Sequence, residues 1–222
     1  MASLEKELNL PPVSRDMLHE QIFRLLSEYL MTGRFEPGQR LPLRKLAKSM
    51  GTSLMPVRDA LQRLETTGCL VSTPQRTMMV PIITAEQHAE ISYLRSLLEG
   101  EAASRAATER NATELAAMES YCEEMHQAAE SADLDLFLMA NYHFHMAVAK
   151  ASRLFFISDL LEPLWMRIGP TIRAKKPNAE EIQLATRTHR KIFQAIRDKA
   201  PDTARAMIEL DIRQGREGFI DR

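Results

Sequence analysis

Glycine and aromatic residues are scarce: 8 Gly in 222 residues, with Phe, Trp and Tyr together only 6%. That scarcity argues against an all-β sandwich or barrel, which depends on tight turns and aromatic cross-strand pairs. The two cysteines, Cys69 and Cys122, are too few for a disulfide framework and lack zinc-ribbon spacing. The stretch MASLEKELNLPPVSR is charged and has no apolar run, so no secretory leader is expected. Nothing approaches the roughly 18–20 consecutive apolar residues of a membrane span. No membrane partner is expected, and the expected setting is the reduced cytoplasm.

What is present is enough for a core. Hydrophobic residues make up 45% and charged residues 27%, so disorder throughout is excluded. The length suits one large domain or two smaller ones. The net charge of −1 hides an asymmetry. Residues 1–82 carry 11 basic and 8 acidic side chains, and residues 83–222 carry 18 and 22. A basic front and an acidic back suggest an anion-binding N-terminal module.

The apolar spacing of Leu18, Ile22, Leu26 and Leu30 predicts a helix over 18–31. Gly33, Pro37 and Gly38 stop it. A short helix follows, with Leu43, Leu46, Ala47 and Met50 inward, and Gly51 ends it. A third helix over 54–66 carries the stripe Val57, Ala60, Leu61 and Leu64. Two short apolar runs flanking Pro74-Gln75-Arg76 predict a β-hairpin. From Thr84 onward the pattern is helical throughout: Thr84-x-x-Gln87 opens one helix and Asn111-x-x-Glu114 the next, and further helices follow near 133–150, 153–173, 178–199 and 201–219. The composition changes at 81–84, which predicts domains at 1–82 and 83–222. The expected fold class is therefore mainly α: a winged helix-turn-helix with a small β-hairpin wing, then an all-α antiparallel bundle.

In a winged helix-turn-helix, the second helix of the pair enters the DNA major groove. Arg58 sits one turn into that helix, opposite Val57 and Leu61. Arg44 opens the preceding helix, and Arg76 sits at the hairpin tip. The spacing Gly33-x3-Pro37-Gly38-x-x-Leu41, then Leu46-Ala47-x3-Gly51-x-Ser53-x-x-Pro56-Val57-Arg58-Asp59-Ala60-Leu61-x-Arg63-Leu64-Glu65-x-x-Gly68, resembles the GntR family of bacterial transcription regulators. The resemblance covers about residues 14–82. It implies operator contacts by Arg44, by Ser53, Leu54, Met55 and Pro56 at the start of the recognition helix, by Arg58, and by Arg76 at the wing. Two positions depart from the family pattern. Leu54 stands where an Arg is usual, so a guanine contact is replaced by apolar contact with a thymine methyl. Arg76 stands where the wing tip usually has Gly.

The C-terminal helices carry polar residues on otherwise apolar stripes. One stripe runs Leu134, Phe137, Leu138, Asn141, His145, Val148. A second runs Ile182, Ala185, His189, Ile192, Ile196, and a third Ala204, Ile208, Asp211, Gly215, Phe219. Arg95 lies beside the stripe Ile91, Leu94, Leu98. Buried polar groups are costly unless paired, so the economical reading is one shared site inside the bundle. Asn141, His145, His189 and Asp211 suit a divalent metal such as zinc, nickel or manganese. They equally suit a hydrogen-bonded network without metal. Trp165, on the stripe Ile157, Leu161, Leu164, Ile168, reads as core or dimer interface.

The motifs Arg95-x-x-Leu98-Glu99-x-x-Ala102-Ala103, Phe144-His145 and His189-x-x-Ile192-x-x-Ala195-Ile196 resemble the FCD subfamily of GntR regulators. Many members hold a metal through an Asp, a His four residues later and two further His. By position these are Asn141, His145, His189 and Asp211, so this chain keeps both imidazoles but moves the carboxylate. The resemblance implies that Arg95 holds an effector carboxylate, and places Arg173 near the same pocket. The expected function is a homodimeric transcriptional regulator on a near-palindromic operator. Its affinity for double-stranded DNA would be set by a small molecule, a carboxylate, and ligand entry would shift helices against the connection at 81–84. It is not expected to be an enzyme. The alternatives are a bundle metalloenzyme hydrolysing through His145, His189 and Asp211, or a scaffold whose winged helix binds protein.

Overall fold

The computed structural model describes residues 16–220, with side chains described for 18–216. The leader reading of the N-terminal stretch, the beginning of the expected 1–82 unit and the packing of Phe219 lie outside the described residues.

The chain begins with α1 (Asp16–Met31), β1 (Arg40–Leu41), α2 (Leu43–Ser49), α3 (Leu54–Thr66), β2 (Val71–Ser72) and β3 (Met78–Met79). Six longer helices follow: α4 (Ala85–Glu109), α5 (Ala112–Ser131), α6 (Leu134–Ala151), α7 (Ile157–Ala174), α8 (Ala179–Arg197) and α9 (Pro201–Ile220). Local sequence explains the helix starts. Thr84 with Gln87, Asn111 with Glu114, and Asn178 with Glu181 each form a reciprocal capping box. Asp133 caps α6 by accepting from the Leu136 amide.

The α2–α3 turn depends on Gly51, whose φ of +62° is the left-handed conformation that ends α2. The Thr52 amide then reaches back to the Ala47 carbonyl at 3.0 Å, and the chain enters α3. The predicted hairpin is present but belongs to a three-stranded antiparallel sheet in the order β1-β3-β2. Arg40 pairs with Met79 and Leu41 with Met78. A two-residue strand leaves no alternation to read, so β1 is invisible to periodicity. At the wing tip Arg76 has φ +57°, which is why glycine is usual there. One helix starts later than expected. Arg153 turns left-handed at φ +60° after α6, and α7 begins at Ile157 rather than near 153.

The two parts of the chain share a core. Leu26, Leu30, Phe35 and Leu61 from the N-terminal part pack into one buried cluster with Leu161, Trp165 and Ile168 of α7. Gly169 on α7 sits against the C-terminal end of α1. A Cβ there would fall inside van der Waals distance of the Leu30 and Met31 carbonyl oxygens. Arg167 Nη2 also donates to the Thr67 carbonyl at 2.5 Å, at the end of α3. Hence α7 buttresses both α1 and α3. Gly169→Ala is expected to cost about 1–3 kcal/mol, because the obstructing atoms are backbone and cannot swing away. The check is a urea midpoint: it should fall with unchanged slope. The second core cluster, including Met118, Phe144, Ile192 and Ile208, joins α4, α5, α6, α8 and α9.

Candidate nucleic-acid interface and ligand cavity

At the start of α3, Ser53, Leu54 and Met55 are exposed, as are Arg44 on α2, Arg58 on α3 and Arg76 at the wing tip. Neither α2 nor α3 has an acidic residue in its first turn, so their amide ends remain attractive to phosphate. Some other charges on this part of the chain are paired. Glu20 accepts from Arg63 at 2.9 Å and His19 lies 3.1 Å from Asp59. Arg44, Arg58 and Arg76 make no such pairs among the described residues. Pro56 is a correction. It is buried with Val57, Ala60 and Leu61 on the inward stripe of α3, so its side chain does not face DNA.

The second site is a cavity of about 140 Å³ inside the helical bundle. Its lining includes His88, Ser92 and Arg95 of α4, Asn141 and His145 of α6, and Trp165, Ile168 and Ile172 of α7, together with residues of α8 and α9. Periodicity brings the polar groups together. Asn141 and His145 stand one turn apart on α6, while Arg95 and Glu99 do the same on α4.

Glu99 is the organising residue, although in the sequence it stands out only as part of a motif. It is 1% exposed. One carboxylate oxygen accepts from Arg95 Nε at 2.7 Å, and the other from His145 Nδ1. Burial pushes its pKa up, but Arg95 and His145 outweigh that and hold it at about 2. The Arg95 guanidinium lies 3.7 Å from the Trp165 ring centre. The guanidinium expected to greet a ligand is thus partly engaged by the protein itself.

The two buried imidazoles meet at His145 Nε2 and His189 Nε2, 3.1 Å apart. His189 Nδ1 donates to the Ala185 carbonyl at 2.8 Å. Asp211 lies 3.3 Å from His145 Nε2 and 3.2 Å from His189 Nδ1. With both Nδ1 protons committed, two Nε2 lone pairs would face each other. A positive charge must lie between them, and two species can supply it. A proton on His145 is one: burial opposes it, but Glu99 and then Asp211 favour it and raise the His145 pKa. Burial, with His145 beside it, lowers the His189 pKa, so His189 is the acceptor. A divalent metal is the other. His145, His189 and Asp211 offer ligand atoms within 4.8 Å of one another, and the anchored Nδ1 atoms are the usual support of metal-binding imidazoles. The residues present therefore fit a metal. Asn141 lines the same cavity.

Arg173 is elsewhere. Its neighbour Ile172 lines the cavity, but Arg173 itself points about 100° round the helix. It pairs with Asp135, and its Cβ packs at the turn holding Gly33. The cations that do line the cavity beyond Arg95 are Lys175 and Arg216. His88 is there too, 4% exposed, with its pKa lowered to about 4 by burial and by Arg95, Arg216 and Lys175. Because the unfolded chain binds this proton more readily, stability should fall as pH drops from about 6.5 toward 4. The drop should be on the order of 3 kcal/mol. His88→Leu should flatten that part of the pH–stability curve, measured by urea unfolding. An unchanged curve would show that His88 is not the group responsible.

Among the described residues no helix is long and apolar enough to cross a membrane. Residues 18–80 match the bacterial regulatory proteins of the gntR family, and residues 90–214 match the FCD domain. The HTH-type transcriptional regulator McbR of Escherichia coli K12 is 32% identical over 150 residues, 68% of either chain. The HTH-type transcriptional repressor RspR of the same organism is 24% identical over 193 residues, covering 86% of this chain and 85% of its own. The solved structure of E. coli McbR/YncC superposes with a TM-score of 0.84 at 28% identity, over 91% of this chain and 95% of that one. A regulator structure from Rhodococcus sp. RHA1 shares the fold, with a TM-score of 0.78 at 18% identity over 91% and 97% of the two chains. The chain belongs to the GntR family of transcriptional regulators, with an N-terminal helix-turn-helix DNA-binding domain and a C-terminal FCD domain.

Proposed function

We propose that this regulator binds a near-palindromic operator as a homodimer and that a small carboxylate in the bundle cavity sets its DNA affinity. Residues up to 82 read DNA, and residues from 83 sense the ligand and dimerise. Arg44, Arg58 and Arg76 would neutralise phosphate or reach base edges, with Ser53, Leu54 and Met55 at the groove floor. The carrying observation is that α7 forms a cavity wall through Trp165, Ile168 and Ile172 while Gly169 and Arg167 hold α1 and α3. A ligand that changes how α7 sits changes how the reading head is held. The route thus runs through a packed helix as well as the connection at 81–84. An effect on affinity still requires the ligand to distinguish two arrangements.

The test is selection of bound sequences from a random duplex pool. The expected product is a two-fold-related pair of half-sites spaced by a whole helical turn, bound less tightly as salt rises. A pool that emerges without common sequence would remove the operator reading.

A divalent ion, where bound, would be held by His145, His189 and Asp211, with Asn141 adjacent. It supplies localised positive charge that favours an anionic ligand. Glu99 and the Ala185 carbonyl would orient the two imidazoles. Protein purified without a tag and reconstituted with zinc, nickel or manganese should hold about one ion per chain, judged from the single ligand cluster among the described residues. His145→Ala and His189→Ala should hold none. Equal metal content in all three proteins would leave only the proton-bridged network.

A further inference from the structure

Large apolar side chains stand exposed along one stripe of α7. Phe155 and Phe156, at the turn into the helix, are 89% and 66% exposed. Their rings pack edge to face with centres 4.8 Å apart. The turn that presents them is anchored, since Arg153 Nη2 donates to Glu114 at 2.8 Å. Phe156, Leu160, Leu164 and Arg167 follow at spacings of four, four and three, so they share one side of the helix. Leu160 is exposed, whereas Leu164 and Arg167 line a groove of about 660 Å³. The stripe therefore starts at an aromatic knob and ends at a groove. Val71 of β2, Met79 of β3, Ile82 and Ile83 of the connection, and Ile91 and Leu94 of α4 form the other walls. Tyr93, Leu94 and Leu97 add exposed apolar surface on α4.

Phe156 and Leu164 are eight residues apart, about 12 Å along a helix, so the knob cannot enter its own groove. We propose that a second copy of this chain docks here, the Phe155–Phe156 pair of each copy filling the groove of the other about a two-fold axis near Leu160. Such an axis exchanges Phe156 with Leu164 and sets Leu160 against Leu160, the self-complementary pattern of a two-fold interface. The area fits this occupant. The six exposed side chains on α4 and α7 present on the order of 600 Å² of apolar surface, at the upper end of what a monomer leaves in water. A standard interface takes about 800 Å² from each partner. The inference rests on the reading of the chain as a homodimer and names the surface that makes it. Because the groove walls include the wing and the connection, the contact that joins two copies also touches each reading head and sets their spacing.

The test is self-association of the full chain without DNA, followed by analytical ultracentrifugation. Phe155→Ser with Phe156→Ser should weaken association at least about hundredfold, as expected for a central aromatic anchor present twice. Leu94→Glu should weaken it from the groove side. An equimolar mixture of these two variants regains one knob-in-groove contact and should associate more tightly than either alone. All three positions are exposed, so both variants should fold, which circular dichroism checks. Independently, Leu160→Cys should be cross-linked to itself between copies by a short bismaleimide. Ser131→Cys, exposed at the end of α5, should not be, and the native Cys69 and Cys122 are buried. A wild-type dimer that these variants leave intact, or Leu160→Cys cross-linking no better than Ser131→Cys, would overturn this surface and leave the homodimer reading standing. A monomeric wild type would remove the homodimer reading, and this occupant with it.

Discussion

Glu99→Ala is expected to destabilise the chain by about 3–5 kcal/mol, the usual cost of removing one partner from a buried ion pair. Two groups lose their counter-charge at once. Arg95 is 5% exposed and His145 is 1% exposed, so neither can turn to water. His145 can shed its proton, but Arg95 cannot. Glu99→Gln keeps the volume and one acceptor for Arg95, so it should lie between the wild type and the Ala variant. Urea unfolding followed by circular dichroism measures the difference. A loss below about 1 kcal/mol would mean that the network is solvated and that the cavity is wetter than its burial indicates.

The second large effect concerns DNA. Arg58→Ala should weaken binding to the selected duplex by about 2–6 kcal/mol for the proposed homodimer, since one guanidinium contact is worth about 1–3 kcal/mol and two copies would present two heads. Fluorescence anisotropy at fixed salt gives the number. The salt slope separates two roles. If Arg58 grips phosphate, removing it from both heads lowers the slope by about two. If it reads a base edge, the slope stays and the sequence preference relaxes. Stability should be unchanged, because Arg58 is exposed and the stripe Val57, Ala60, Leu61, Leu64 is untouched. Unaltered affinity would place the interface elsewhere than on α3.

Legibility follows the physics of each segment. The helix-turn-helix is readable because Gly51, the inward stripe of α3 and the turn before β1 each impose a local requirement on residue type. The histidines are readable because a polar residue on an apolar stripe conflicts with its surroundings, and His145, His189 and Asp211 do converge. Glu99 does not read as a centre because Arg95 and Glu99 at four-residue spacing look like any surface pair, and only tertiary packing buries them. The expected place of Arg173 fails because position along a helix does not give rotation about it. Resemblance puts Pro56 on the DNA face, although its spacing to Ala60 already puts it on the buried one.

The most direct measurement is the affinity of the protein for the selected duplex, with and without a small carboxylate at a concentration that saturates the fluorescence change of Trp165, the single tryptophan, which lines the cavity. The expected result is a change of at least about fivefold in either direction, the lower range for coupled sites. An affinity that stays the same while the cavity is demonstrably full would contradict coupling between the cavity and the reading head.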